Sequence, residues 1–193
     1  MKSSNIRTFQ IASFGVMLMT SVSVLAGAET GWHGEITGLI QGTVNGPGRF
    51  FCIDSMPMAS GRAPATLVIA DGGRAGRYGV TFSLPRNTGS GKHPLVASTV
   101  WDIGKVIQVR VDARNGNAIE SFGTNPDGFL SIEALPDGLA GAAGKEVRGL
   151  YEVRLENTRG ESIHVSGSFK FSAPAEISAD PRKQWYCKDP IPQ

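Results

Sequence analysis

The clearest pattern in the chain runs from Leu150 to Ser172. Tyr151, Val153 and Leu155 alternate with Glu152, Arg154 and Glu156. After Asn157-Thr158-Arg159-Gly160 the alternation resumes, with Ile163, Val165, Gly167, Phe169 and Phe171 against His164, Ser166, Ser168, Lys170 and Ser172. Successive side chains of a strand point to opposite faces, so this pattern predicts an antiparallel hairpin with one dry and one wet face. Two strands cannot bury a face alone, and more sheet must cover this pair.

The rest of the chain repeats the pattern in shorter pieces. Residues 29–34, with Trp32 and His33, read as a short lead. A strand is predicted over 35–44, with Ile36, Ile40 and Val44 on one face. Leu39 breaks its alternation, and Gly38 and Gly42 suggest a bulge or a close neighbour. Asn45-Gly46-Pro47-Gly48 reads as a turn, and residues 49–53 as a short return strand. Residues 54–64 read as a loop, 66–70 as a strand and 71–76 as a turn. Tyr78, Val80, Phe82 and Leu84 mark a further strand.

Residues 85–94 read as a longer loop, followed by strands at 95–100 and 105–112. Asn115-Gly116 is a hairpin turn, because both residues tolerate positive φ. A strand over 118–122, a turn over 124–128 and a strand over 129–135 follow. The small, Gly-rich stretch 136–144 leads into the hairpin, and the tail 174–193 is irregular. About nine or ten short strands, with turn signals every ten or so residues, predict an all-β antiparallel sandwich or barrel-like meander. The succession of hairpins leans toward barrel-like closure.

The two ends change this picture. Lys2 and Arg7, the uncharged apolar run 11–25 and Ala26-Gly27-Ala28 predict a signal peptide over 1–28, cleaved near Ala28. The expected product is a single β domain over 29–193, periplasmic or secreted, with no membrane span. Of the 19 Lys and Arg, Lys2 and Arg7 lie in that segment, which leaves 17 bases against 17 acids. A neutral exported chain without a basic stripe argues against nucleic acid as a partner. Cys52 and Cys187 are the only two cysteines. In an oxidising compartment they are expected to form a disulfide that ties the tail back to the domain.

Catalytic chemistry finds little support. His33, His93 and His164 have no metal-ligand spacing, and no metal or cofactor is predicted. Gly89-Ser90-Gly91-Lys92 lacks both the preceding Gly and the following Ser or Thr of a phosphate-cradling loop. Glu120, Glu133, Glu152 and Glu156 could supply paired carboxylates, but all four fall on polar strand faces. Whether the protein has any enzymatic activity is left open, with a non-catalytic role favoured.

Charge offers a different lead. Arg62, Arg74, Arg77, Arg86 and Lys92 stand against Asp71 alone between Gly61 and His93. If the 71–77 and 85–94 loops share one end of the sheet, their side chains form a cationic mouth for an anionic small molecule, a glycan or an acidic protein. Arg74, Arg77, Arg86, Lys92 and His93 are the candidate ligand-binding residues. Two alternatives stand beside this reading. One is a barrel-type carrier of a small apolar ligand, with 136–144 as a lid. The other is a hydrolase that uses His93.

Overall fold

The computed structural model describes residues 30–53, 57–58, 61–62, 66–71, 77–97, 104–115, 118–136 and 144–173. The predicted signal peptide, Arg74, the 136–144 lid beyond its ends, and the tail with Cys187 lie outside the described residues, so the disulfide does too.

In chain order the strands are β1 (Gly31–Gly38), β2 (Gly42–Gly46), β3 (Gly48–Ile53), β4 (Pro57–Met58), β5 (Gly61–Arg62), β6 (Thr66–Asp71) and β7 (Tyr78–Pro85). They continue as β8 (Gly91–Leu95), β9 (Gln108–Asn115), β10 (Ala118–Phe122), β11 (Thr124–Ala134), β12 (Glu146–Glu156) and β13 (Ser162–Ser172). Eleven of them form two antiparallel sheets. The first has the order β2-β1-β13-β12-β11-β8 and the second β10-β9-β7-β6-β3, with β4-β5 a two-residue pair beside them.

The predicted hairpin forms the middle of the first sheet. Tyr151 pairs with Gly167 and Val153 with Val165. Tyr151, Val153, Leu155, Ile163, Val165, Phe169 and Phe171 are buried, as the alternation requires. From the second sheet, Tyr78, Val80, Phe82, Leu84, Val109 and Val111 complete the core. Trp32, Phe82, Tyr151 and Phe169 meet ring to ring between the sheets, with centroids 4.9–6.2 Å apart.

Closure into a barrel does not occur: the two sheets keep separate ladders. The chain passes from β2 in the first sheet to β3 in the second across Pro47, and from β10 back to β11 across Gly123. Proline has no N–H to give to a ladder, so pairing breaks at the corner where the strand changes sheets.

Several local expectations are corrected. The strand predicted over 35–44 is two strands: β1 pairs with β2, with Ile36 opposite Gly42, and exposed Leu39 sits at the reversal. Gly38 has φ 105°, which an L side chain rarely adopts, and it starts that reversal. The Tyr78 ring lies over Gly42, so Gly42 does have the close neighbour its position suggested. The lead residues Trp32 and His33 belong to β1, and Trp32 is buried at the centre of the core.

The loop predicted over 85–94 ends early, because Gly91–Leu95 forms β8. Pro94 is tolerated there since β8 is an edge strand, paired with β11 alone among the described strands. Of the strand predicted over 95–100, Leu95 ends β8, Val96 lies beyond it and is exposed, and 98–100 lie outside the described residues. The turn predicted over 124–128 is the bulged start of β11. Its register shifts between Thr124 and Asp127, and Asn125 takes φ 46°.

Candidate functional site

Two of the candidate cations, Arg77 and Arg86, lie apart. Arg77 immediately precedes β7 and Arg86 immediately follows it. At about 3.3 Å per residue that strand separates them by roughly 30 Å. Arg77 and Arg86 therefore stand at opposite ends of β7 and do not share one mouth, while Arg74 lies outside the described residues. At its own end, Arg77 is exposed, with its guanidinium 5.4 Å from the centre of the Tyr78 ring.

What does come together is the 85–94 end. The Thr88 N–H donates to the Pro85 carbonyl at 2.9 Å and closes a turn directly after β7. His93, two positions into the edge strand β8, reaches back with Nε2 to the Gly89 carbonyl at 2.9 Å. A carbonyl only accepts, so Nε2 carries the proton and the ring pins the loop to the edge strand. That bond occupies one ring nitrogen of the histidine a hydrolase would use. Lys92 is exposed, and its Nζ lies 3.9 Å from the centre of the Phe129 ring on β11. An ammonium over an aromatic face is attracted by the negative face of the ring, worth about 0.5–1 kcal/mol at an exposed site.

Arg86, Lys92 and His93 thus belong to one ordered loop and strand, and no acid occurs anywhere in residues 77–97. Phe129 is the member that the sequence alone does not point to. It sits two residues from Ser131, which pairs with Lys92, and only the β8–β11 register brings its ring beneath the ammonium.

The four candidate glutamates are each committed elsewhere. Glu133 pairs with Arg148 at 2.7 Å, Glu156 with Arg154 at 3.0 Å, and Glu152 faces His164 Nε2 at 3.4 Å. Glu120 meets Arg159 and accepts from the Asn157 amide at 2.9 Å. Carboxylates held one by one by separate neighbours along two sheets do not make an acid–base pair across a substrate.

The most organised polar group is the β12–β13 loop. Buried Asn157 donates to Glu161 at 2.8 Å, while its side-chain oxygen accepts from the backbone N–H groups of Arg159 and Glu161. The Asn157 amide, and after it Arg159, holds the Glu161 carboxyl below its ordinary range. Glu161 in turn raises the Arg159 guanidinium. Its contacts lie within the loop and to Glu120 on β10, and it reads as a hairpin closure docked on the second sheet.

A carrier requires open space between the sheets. At the level of Trp32, Phe82, Tyr151 and Phe169 that space is filled by rings in mutual contact, with Phe171 next in line at 6.3 Å from Phe169. Among the described residues, no group of three or more His, Cys, Asp or Glu side chains could hold a metal ion. No helix there is long and apolar enough to cross a membrane. Comparison with protein-family models, with curated proteins and with solved structures finds no match.

Proposed function

We propose that this protein is an exported, non-catalytic β-sandwich that binds an anionic ligand, a carboxylated glycan or an acidic protein surface, through the 85–94 loop and strand. The observation that carries this reading is the His93–Gly89 hydrogen bond. It holds a loop bearing Arg86 against an edge strand bearing Lys92, in a stretch without a single acid. A loop fixed before binding does not have to be ordered by the ligand, which lowers the entropic cost of association. Two cations over a rigid frame attract an anion mainly by charge, and salt should weaken the attraction. Export rests on the signal-peptide pattern of residues 1–28.

The test uses immobilised polygalacturonate as the carboxylated glycan, with inorganic phosphate as competitor. Arg86→Ala combined with Lys92→Ala should lower affinity at low salt by about tenfold or more, in keeping with the loss of two charge-assisted contacts. Arg77→Ala, at the far end of β7, should bind like the wild type. Full retention of binding by the double variant at low salt would remove the site. An equal loss in Arg77→Ala would show a diffuse charge effect instead.

A further inference from the structure

The strand β6 does not alternate. Every position from Thr66 to Ala70 is buried. Leu67 and Ile69 belong to the core between the sheets. Thr66, Val68 and Ala70 take the other face by strand periodicity, the outer face of the second sheet, and yet are only 4 %, 1 % and 7 % exposed. An antiparallel sheet with a free outer face shows polar, open residues there, whereas burial on both sides belongs to strands covered on both sides. By register Val68 is flanked by Phe51 on β3 and Ser83 on β7. Those strands lie beside it, and β2, which also packs on β6, lies across the core. Something else covers this outer face.

The neighbouring edge points the same way. β8, one of the two edge strands of the first sheet, carries Lys92 and Pro94, two standard guards against pairing with another chain. β3, the edge of the second sheet next to β6, reads Gly-Arg-Phe-Phe-Cys-Ile, with one charge and no proline, and Phe51 is 37 % exposed. An unguarded apolar edge of this kind is a site for aggregation unless it is covered.

We propose that the cover is this chain's own C-terminal segment, residues 174–193, tied to β3 by a disulfide between Cys52 and Cys187. The chain leaves β13 at Ala173, and the Phe171 ring just before it packs on Gly48, the first residue of β3. From Gly48 to Cys52 is roughly 13 Å along the strand. The fourteen or so residues from Ala173 to Cys187 can span about 45 Å, so reach is ample. Trp185 and Tyr186 directly precede Cys187, and the tether would deliver both rings to the neighbourhood of Phe51 and Val68. Forming the S–S bond removes two protons and two electrons from the two thiols. An external disulfide takes them up by thiol–disulfide exchange and becomes a dithiol.

The test begins with the wild-type protein from the exported fraction. Peptide mapping without reduction should find the Cys52 and Cys187 peptides joined within a monomer. Carbene footprinting should then show labelling of peptide 66–71 rise several-fold in Cys187→Ser and in a chain ending at Ala173. Because Cys187→Ser keeps every other tail residue, it decides the matter should the shortened chain fail to fold. Free thiols, or a disulfide joining two chains, would overturn the proposal. So would a correct disulfide with unchanged labelling of 66–71, which would make another segment of the same chain the cover.

Discussion

The indole N–H of Trp32 donates to the hydroxyl of Tyr151 at 2.9 Å, joining two residues 119 positions apart in the chain. Trp32 stands on β1 and Tyr151 on β12, with β13 between them. The tyrosine can lie across that strand because Gly34 and Gly167 face each other beneath it. A Cβ on either would meet the Tyr151 hydroxyl. Polar atoms of two large aromatics thereby satisfy one another inside an apolar core, where an unpaired donor would be costly.

Tyr151→Phe keeps the ring and deletes the acceptor, leaving a buried indole N–H unpaired. The expected loss is about 1–3 kcal/mol in urea unfolding, with an unchanged denaturant slope. Adding Trp32→Phe should cost less in the Tyr151→Phe background than in the wild type. Additive losses would mean that the bond contributes nothing.

Gly167→Ala tests the groove under the tyrosine. Its Cβ would run into the His33 carbonyl and the Tyr151 hydroxyl, whereas a Cβ at Gly89 meets nothing within 4 Å. The first substitution should destabilise by roughly 1–3 kcal/mol through overpacking. Gly89→Ala is the control, and equal midpoints for the two would show that the groove yields freely.

Alkaline pH should act through Tyr151. Burial pushes its phenol well above the ordinary range, opposed in part by the Trp32 bond. The folded value lies above the unfolded one, so the contribution to stability is whole below about pH 10 and falls as pH rises beyond it. Urea midpoints measured between about pH 9 and 11.5 should fall more steeply for wild type than for Tyr151→Phe. Parallel curves would contradict this.

Acid should act on the β12–β13 loop in the opposite sense. The Glu161 carboxyl is held below its ordinary range by Asn157 and Arg159, so its contribution is whole above about pH 4.3 and is lost as pH falls through the lower folded value. Glu161→Gln should flatten the acid limb of stability relative to wild type. Protection of the Arg159 and Glu161 amides, whose N–H groups donate to Asn157, should fall in acid in the wild type once exchange is referred to the intrinsic rate at each pH. Protection that does not change with acid would show that the loop stands without the carboxylate.

Alternation along the chain by itself determined the all-β class, the β12–β13 hairpin and the inward faces of β7 and β9. Those features depend on side chains two residues apart, and a local pattern reports them directly. The charges of Arg86 and Lys92 were equally legible. The reversal between β1 and β2 was not: Leu39 and Ile40 at its tip are apolar, and Gly38 and Gly42 suggested only a bulge or a close neighbour. The tertiary structure alone decided that Pro47 and Gly123 carry the chain from sheet to sheet instead of closing a barrel. It decided that Trp32 joins Tyr151 at the centre of the core, and that Arg77 and Arg86 stand at opposite ends of β7. Each of these is a relation between strands distant in sequence. Periodicity says which way a side chain faces, but only pairing and packing say what it meets.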